Sequence, residues 1–364
     1  MIQTKALVCS ELSEDMSHVE IKTLMLSDPK DHEVLIKVKA ASVNFPDLLM
    51  TKGMYQHKPE LPFVLGMEGS GVVKKVGKKV VKVREGDEVT FGAMGKGAFS
   101  EYVVVGENSV EMKSSQLNFS EAASFQTAYL TAYVSLVRRG NLLKGENLLV
   151  HGATGGVGMA AVQLGKHLGA NVIATGTSQK KLEHTLKWGA DHTILTHVDG
   201  VVNFRNEVKE ITDGKGADVI YDPVGGDVFD HSVRCINWGG RILVVGFASG
   251  RIPNIGINMP LIKGFSIIGV RAGEFGRRDP EKGIENNIAI ANYDFVTNTL
   301  LNFSTQGFPA LDYMLYGIAD GDVLSKYQEE GGELYKTYLN QVINSMISNT
   351  DIILDDWTTN RTSF

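Results

Sequence analysis

The sequence predicts an α/β protein built around a doubly wound parallel sheet, preceded by a β-rich segment. Three observations carry this. To about residue 125 the chain is dominated by β-branched and alternating runs. Between about 126 and 270 short apolar runs alternate with helical spacings, the pattern of a parallel sheet covered on both faces. A glycine cluster joins the first of those apolar runs to the first helix.

In the N-terminal segment, Val34-Leu-Ile-Lys-Val-Lys39 reads as a strand, and pairs such as Gly86-Asp87 read as the turns between strands. The second region supplies Leu148–His151, Asn171–Thr175, Asp218–Tyr221 and Arg241–Val245 as buried strands. Val157 to Leu168 has helical spacing between two of them. Phe265 to Val270 reads as the last strand of the sheet, with an open edge. From residue 293 the sequence changes character: ten acidic residues face three basic ones, so this tail carries −7 while the rest carries +1. Leu334 to Leu354 places Leu339, Val342, Ile343, Met346 and Ile347 at intervals of three and four, which predicts a helix.

Composition narrows the function classes. The chain has 364 residues, 40 glycines and a net charge of −6. That length accommodates two or three domains with buried cores. No basic block offers phosphate neutralisation, so no nucleic-acid partner is expected. Cys9 and Cys235 are the only cysteines, and their spacing supports neither a disulfide framework nor a zinc knuckle. The first thirty residues hold no apolar run, and no stretch is long enough to span a membrane, so a cytoplasmic protein without a membrane partner is expected.

The segment Leu148-Leu-Val-His-Gly-Ala-Thr-Gly-Gly-Val-Gly158 carries the chemistry. Glycines 152, 155, 156 and 158 lie between a strand and a helix, in a variant of Gly-x-Gly-x-x-Gly with its first glycine one place earlier. Glycine allows the tight turn and close approach of backbone to a pyrophosphate, while the helix beginning near Val157 presents N–H groups and a positive dipole end. The candidate cofactor-binding residues here are Gly152, Thr154, Gly155, Gly156, Val157 and Gly158. An ordinary strand-to-helix turn is the alternative for the glycines alone. The following strand and its spacing favour a dinucleotide.

The end of the second strand distinguishes the two nicotinamide cofactors. An NAD site usually places Asp or Glu there for the ribose hydroxyls. Here the sequence is Ala174-Thr-Gly-Thr-Ser-Gln-Lys-Lys-Leu182, without an acid. Ser178 and Lys181 can bind a 2′-phosphate, with Lys180 a second candidate, so NADPH is the expected cofactor. Ser178 also suits a helix N-cap, and the two roles are compatible.

Ala41-Ser-Val-Asn-Phe-Pro-Asp47, Pro62-Phe-Val-Leu-Gly-Met-Glu-Gly-Ser-Gly71, Gly86-Asp-Glu-Val89, Asp222-Pro-Val-Gly-Gly-Asp227 and Gly239–Gly250 extend the pattern. With these stretches, residues 1 to about 292 resemble the zinc-independent medium-chain dehydrogenase/reductases, in the quinone oxidoreductase group. The resemblance implies a GroES-like β-barrel catalytic domain over 1–125 and a Rossmann domain over 126–270. It also implies a return toward the catalytic domain beginning at 271–292. Zinc-dependent relatives carry Cys where Asn44 stands and His where Met67 stands; amide and thioether do not replace thiolate and imidazole on zinc. Asp47 and Glu68 remain as structural residues, and no metal is expected. Hydride transfer then suits an electron-poor acceptor, a quinone or an activated enone.

The resemblance also implies roles for single residues. Asn44 would lie beside the nicotinamide and Tyr55 would contact cofactor or substrate; these two are the candidate catalytic residues. Thr131 would lie near the cofactor phosphates or ribose, and Val245 and Phe247 would follow the strand whose backbone meets the carboxamide. Each has a plainer reading: Asn44 as a turn former, Tyr55 as a half-buried aromatic and Thr131 as a helix residue. In that family the edge strand near 265–270 often pairs across a dimer, so the resemblance implies a homodimer; an ordinary edge strand is the plainer reading.

The tail does not fit that family. Thr305–Gly317 and Asp356–Phe364 resemble imelysin-like helical proteins, so 293–364 reads as a foreign helical fragment. The Gly-x-His-x-x-Glu motif of those proteins has its nearest match at Gly165-x-His167, inside the nucleotide domain, so no activity is assigned to the tail. Loss of the family C-terminus is expected to lower stability or activity. Three further readings stay open. An acrylyl- or enoyl-thioester reductase would need a basic groove, for which Arg271, Arg277 and Arg278 are candidates, although a solvated basic turn is the plainer reading of the three. The others are a non-catalytic NADPH-binding protein and a helical binding module in the tail.

Overall fold

A computed structural model of the chain describes residues 1–198 and 200–291. The expected tail helix and the imelysin-like stretches lie outside the described residues. The chain divides into two compact units, one formed by Met1–Phe125 and the other beginning at Gln126.

The first unit is antiparallel β. Strands β1 (Ile2–Cys9), β2 (Val19–Leu26), β3 (Glu33–Ala41), β4 (Phe63–Val64), β5 (Glu68–Val76), β6 (Glu88–Gly92), β7 (Tyr102–Gly106) and β8 (Val110–Met112) form two sheets. Their orders are β2-β1-β4 and β7-β3-β5-β6-β8. β3 pairs with β5 from Val34 opposite Val76 to Ala41 opposite Gly69, through two register shifts that bend the sheet. One apolar core gathers Val34, Ile36, Val73, Val89, Phe91 and Val105. A second gathers Leu7, Leu48, Phe63, Leu65, Met67 and Phe99 beneath helix α1 (Phe45–Thr51). Pro46 suits the start of α1, because its fixed φ is helical and its missing N–H is not needed there.

The second unit opens with α2 (Phe119–Tyr133), which begins in the first unit and continues into a π-helical turn over Val134–Arg139. Strands β9 (Asn147–Val150) and β10 (Asn171–Gly176) follow, separated by α3 (Gly156–His167). Then come α4 (Gln179–Lys187), β11 (His192–Leu195), the small hairpin of β12 (His197–Val198) and β13 (Val201–Val202), and α5 (Arg205–Ile211). β14 (Ala217–Asp222), α6 (Gly226–Cys235), β15 (Ile236–Val244), α7 (Asn258–Lys263) and β16 (Ser266–Gly269) complete the sheet. The six-stranded sheet has the order β11-β10-β9-β14-β15-β16, and every pairing in it is parallel.

This is the doubly wound arrangement that the sequence predicts, and all four expected buried strands lie in it. The strand order reverses between β9 and β14, and a ligand crevice forms at the carboxyl ends of strands at such a switch point. β9, β10 and β14 are almost wholly buried, which explains why their sequences read as continuous apolar runs. Gly165 lets α3 sit close to the sheet, since a Cβ there would meet Leu148 Cδ2 at 2.3 Å. The stretch 271–291, expected to begin a return to the first domain, forms α8 (Ala272–Arg278) and α9 (Pro280–Ala291). Arg138 holds α9 within the second unit, through Asn286 Oδ1 at 2.8 Å and Glu285 at 2.9 Å.

Candidate functional site

The glycine turn occupies the switch point, and backbone bonds on both sides fix it there. His151 N–H donates to Tyr221 O of β14 at 3.0 Å, and Ala153 N–H donates to Thr175 O of β10 at 2.9 Å. Gly152 takes a left-handed φ of +58°, and its carbonyl accepts Gly155 N–H at 3.0 Å. α3 begins at Gly156, one residue before the expected start, with Gly155 as N-cap and no side-chain cap. Its first N–H groups are therefore not taken up by a capping side chain, the arrangement that suits a phosphate at a helix N-terminus. Gly158 is dictated by space: a Cβ there would stand 2.1 Å from Gly152 O. The side chain of Thr154 leans toward the end of β10, its methyl 3.5 Å from the place a Cβ on Gly176 would occupy.

At the end of β10, Ser178 is the N-cap of α4, its hydroxyl accepting Lys181 N–H at 3.5 Å. No acidic residue lies in the first turn of α4 or of α3. The structure thus places Ser178 and Lys181 on one turn and leaves Ser178 part-exposed beyond the buried strand.

On the other side of the switch point, the loops after β14 and β15 are zipped together. Asp222 Oδ1 accepts Val224 N–H at 2.8 Å and Gly225 N–H at 2.9 Å, and its carbonyl accepts Val245 N–H at 2.9 Å. Ala248 and Ser249 N–H groups donate to Pro223 O and Val224 O, each at 3.0 Å. Burial pushes the Asp222 carboxyl above its ordinary range, and the two backbone bonds act against that rise. Val245 and Phe247 sit on this zipped pair, immediately after β15. Thr131 lies on α2, and its hydroxyl donates back to Thr127 O at 2.7 Å, so that hydrogen serves the helix.

In the first unit, Asn44 is buried at the N-cap of α1. Its backbone N–H donates to Asp47 Oδ2 at 2.8 Å, while its amide Nδ2 donates to Ser42 Oγ at 2.9 Å and Glu68 Oε1 at 3.0 Å. Ser42 Oγ donates to the same Glu68 oxygen at 2.6 Å. Asp47 is fully buried, and desolvation, helped by the nearby Glu68 charge, pushes its carboxyl up to about 8. Tyr55 is half-buried against the cluster that includes Leu48, Phe63, Met67 and Phe99. Asp47 and Glu68, expected to be structural, thus accept hydrogen bonds from Asn44 and Ser42.

Two features were not legible beforehand. Ser42 joins Asn44 and Glu68 in one network, although its place in the stretch Ala41–Asp47 gave no sign of that bond. His151 is buried beneath the glycine turn with both ring nitrogens bonded, to Thr175 Oγ1 and Ser232 Oγ at 2.8 Å each. Arg271, Arg277 and Arg278, the candidate basic groove, instead gather on Glu274 at 3.8, 2.9 and 2.8 Å.

Comparison with known proteins agrees with this arrangement. Residues 30–115 match the alcohol dehydrogenase GroES-like domain, and residues 156–287 match the zinc-binding dehydrogenase family. The chain is 40% identical over 280 residues to the quinone oxidoreductase-like protein 2 homolog of Nematostella vectensis, covering 76% of this chain and 74% of that protein. It is 34% identical over 242 residues to the quinone oxidoreductase of Homo sapiens, covering 66% and 72%. Among solved structures, the quinone oxidoreductase of Escherichia coli in complex with NADPH superimposes with a TM-score of 0.68. That structure is 26% identical, over 79% of this chain and 88% of that one.

Proposed function

Since the chain belongs to the medium-chain dehydrogenase/reductase family, in its quinone oxidoreductase group, we propose that it transfers hydride from NADPH to a quinone or an activated enone without zinc. The observation that carries this reading is the pairing of an uncapped, glycine-lined α3 N-terminus with a first turn of α4, just after β10, that bears Ser178 and Lys181 and no carboxylate. A carboxylate there would repel a 2′-phosphate, whereas Ser178 and Lys181 suit it. The cofactor-holding residues are Gly152, Thr154, Gly155, Gly156, Val157 and Gly158 for the pyrophosphate and Ser178 and Lys181 for the 2′-phosphate. Thr131, Val245 and Phe247 are assigned to the remainder of the cofactor. When bound, NADPH supplies the hydride.

The zinc implied by likeness to the zinc-binding dehydrogenases does not fit these residues. At Asn44 the amide nitrogen already donates to Ser42 and Glu68, and a donor N–H is not a metal ligand. Met67 offers only a buried thioether. Among the described residues no group of three His, Cys, Asp or Glu side chains is placed to hold a metal. Asn44 and Tyr55 are therefore assigned to orient the acceptor, with Tyr55 or water supplying the proton that follows the hydride. Positioning supplies most of the rate in such a site. Three arginines sharing one glutamate leave the thioester groove with less free charge than its sequence suggested.

The domain boundaries at 125/126 and 270/271 and a homodimer through the edge strand β16 belong to the same proposal. Exposed Trp238, Leu261, Ile262 and Ile267 around that edge support it, and a monomer in sedimentation would overturn the dimer. No helix among the described residues is long and apolar enough to cross a membrane, and a small-molecule substrate in a soluble compartment suits the chemistry. The test is NADPH oxidation against a panel of quinones, enones and enoyl-thioesters. Turnover of quinones or enones is expected; turnover confined to thioesters, or nucleotide binding with no turnover, would overturn the reading.

A further inference from the structure

His151 is the last residue before the glycine turn, and its ring is fully buried. The positions of its hydrogens follow from its partners. Ser232 Oγ donates to Val228 O at 2.7 Å, so it accepts from the ring, and Nε2 carries the hydrogen. Thr175 Oγ1 lies 2.8 Å from Nδ1 and 3.3 Å from Val150 O, so its hydrogen goes to the nearer atom and Nδ1 accepts. Burial pushes the ring down to about 3, which keeps it neutral with one donor and one acceptor. Phe204 packs edge-on at 4.9 Å and closes the site.

These bonds join the three elements that surround the switch point. The backbone of His151 is bonded to β14, its Nδ1 to β10 and its Nε2 to α6. Thr175 is tied twice, since its carbonyl also holds Ala153 of the turn. It lies three residues before Ser178. A hydrophobic side chain of similar volume would fill the space, but would add no side-chain tie to the backbone bonds that hold β10 beside β9 and the turn.

We propose that His151 is a positioning residue for the dinucleotide turn, setting the separation between the pyrophosphate-facing Gly152–Gly158 backbone and the Ser178–Lys181 end of β10. This rests on the NADPH reading above. The tie through Thr175 governs cofactor binding, and the tie through Ser232 anchors the ring.

Two conservative variants separate the ties. In His151→Asn the amide oxygen stands where Nδ1 stood and keeps an acceptor for Thr175. In His151→Gln the amide nitrogen stands where Nε2 stood and keeps a donor for Ser232, but Thr175 loses its partner. Thr175→Val removes the same tie isosterically and decides the matter if the glutamine variant does not fold. The Kd for NADPH, read by tryptophan fluorescence, is expected to rise about tenfold in His151→Gln and Thr175→Val, the scale of one lost buried hydrogen bond. It is expected to stay within about threefold of the parent in His151→Asn, with kcat at saturating NADPH within about twofold in all three. A parent that binds NADPH while Thr175→Val binds it equally well, or a fall in kcat with Kd unchanged, overturns this inference alone. A parent that binds neither NADPH nor NADH overturns the functional reading and this inference with it.

Discussion

Asn44 donates its amide to Glu68 Oε1 at 3.0 Å, and that same oxygen takes the Ser42 hydroxyl at 2.6 Å. The amide is therefore held in one orientation by a buried acceptor. Asn44→Ala leaves Glu68 short of one donor. A loss of about 1–3 kcal/mol in unfolding free energy is expected, the cost of leaving a buried polar group without a partner. Chemical denaturation measures it. Turnover with a quinone is expected to fall by about tenfold or more, because an orienting group is removed. A variant as stable and as active as the parent would contradict the assignment.

Asp47 and His151 give stability opposite dependences on pH. Burial raises Asp47 from 3.8 to about 8, so the folded chain holds a proton that the unfolded chain gives up. Its contribution is complete below pH 3.8 and is lost as pH rises through about 8. Burial lowers His151 from 6.5 to about 3, so its contribution is complete above pH 6.5 and is lost as pH falls toward 3. Asp47→Asn is expected to gain stability relative to the parent above pH 8, by an amount on the order of a few kcal/mol. Urea midpoints from pH 5 to 9 test this, and parallel curves for parent and variant would contradict it.

Gly158 and Gly155 make a contrasting pair. A Cβ on Gly158 would stand 2.1 Å from Gly152 O, whereas at Gly155 the same carbonyl is 3.5 Å away. Gly158→Ala is expected to cost about 3 kcal/mol or more, because backbone must move, and to abolish NADPH binding. Gly155→Ala is expected to cost less than about 1 kcal/mol, the loss of a glycine N-cap. Thermal unfolding with and without NADPH separates the two, and equal effects would contradict this account of the turn.

Ser178 serves as helix cap and as proposed phosphate ligand, and Ser178→Asp separates those roles. Aspartate caps a helix as well as serine, so stability is expected to stay within about 0.5 kcal/mol. Its charge opposes a 2′-phosphate, so the KM for NADPH is expected to rise about tenfold or more while that for NADH changes little. An unchanged preference between the two cofactors would place the 2′-phosphate elsewhere.

Much of the second unit was legible because its signals are local. Leu148–Val150 and Asp218–Tyr221 read as buried strands because parallel strands are apolar on both faces, and Gly152–Gly158 read as a turn because four of its seven residues are glycine between a strand and a helix. The networks were not legible. His151 meets Thr175 and Ser232, 24 and 81 residues away in sequence, and nothing in the run Leu-Val-His-Gly reveals a partner so distant. Ser42 and Glu68 are 26 residues apart and meet because β3 and β5 pair to their ends, Ala41 opposite Gly69, beside which the two residues stand. For the three arginines after β16, a basic turn is the plainer reading and a groove the alternative; the i,i+3 and i,i+4 spacing of Glu274 to Arg277 and Arg278 is the local signal of the pairs the structure shows.

The most direct test of an NADPH-dependent, zinc-free reductase is one kinetic comparison on protein treated exhaustively with a chelator and checked for metal content. kcat/KM for a quinone is measured with NADPH and with NADH as donor. The account predicts full activity without zinc and a preference for NADPH of about tenfold or more, the worth of one well-placed charge contact to the 2′-phosphate. Activity that disappears with the chelator and returns with stoichiometric zinc, or equal use of the two cofactors, would contradict it.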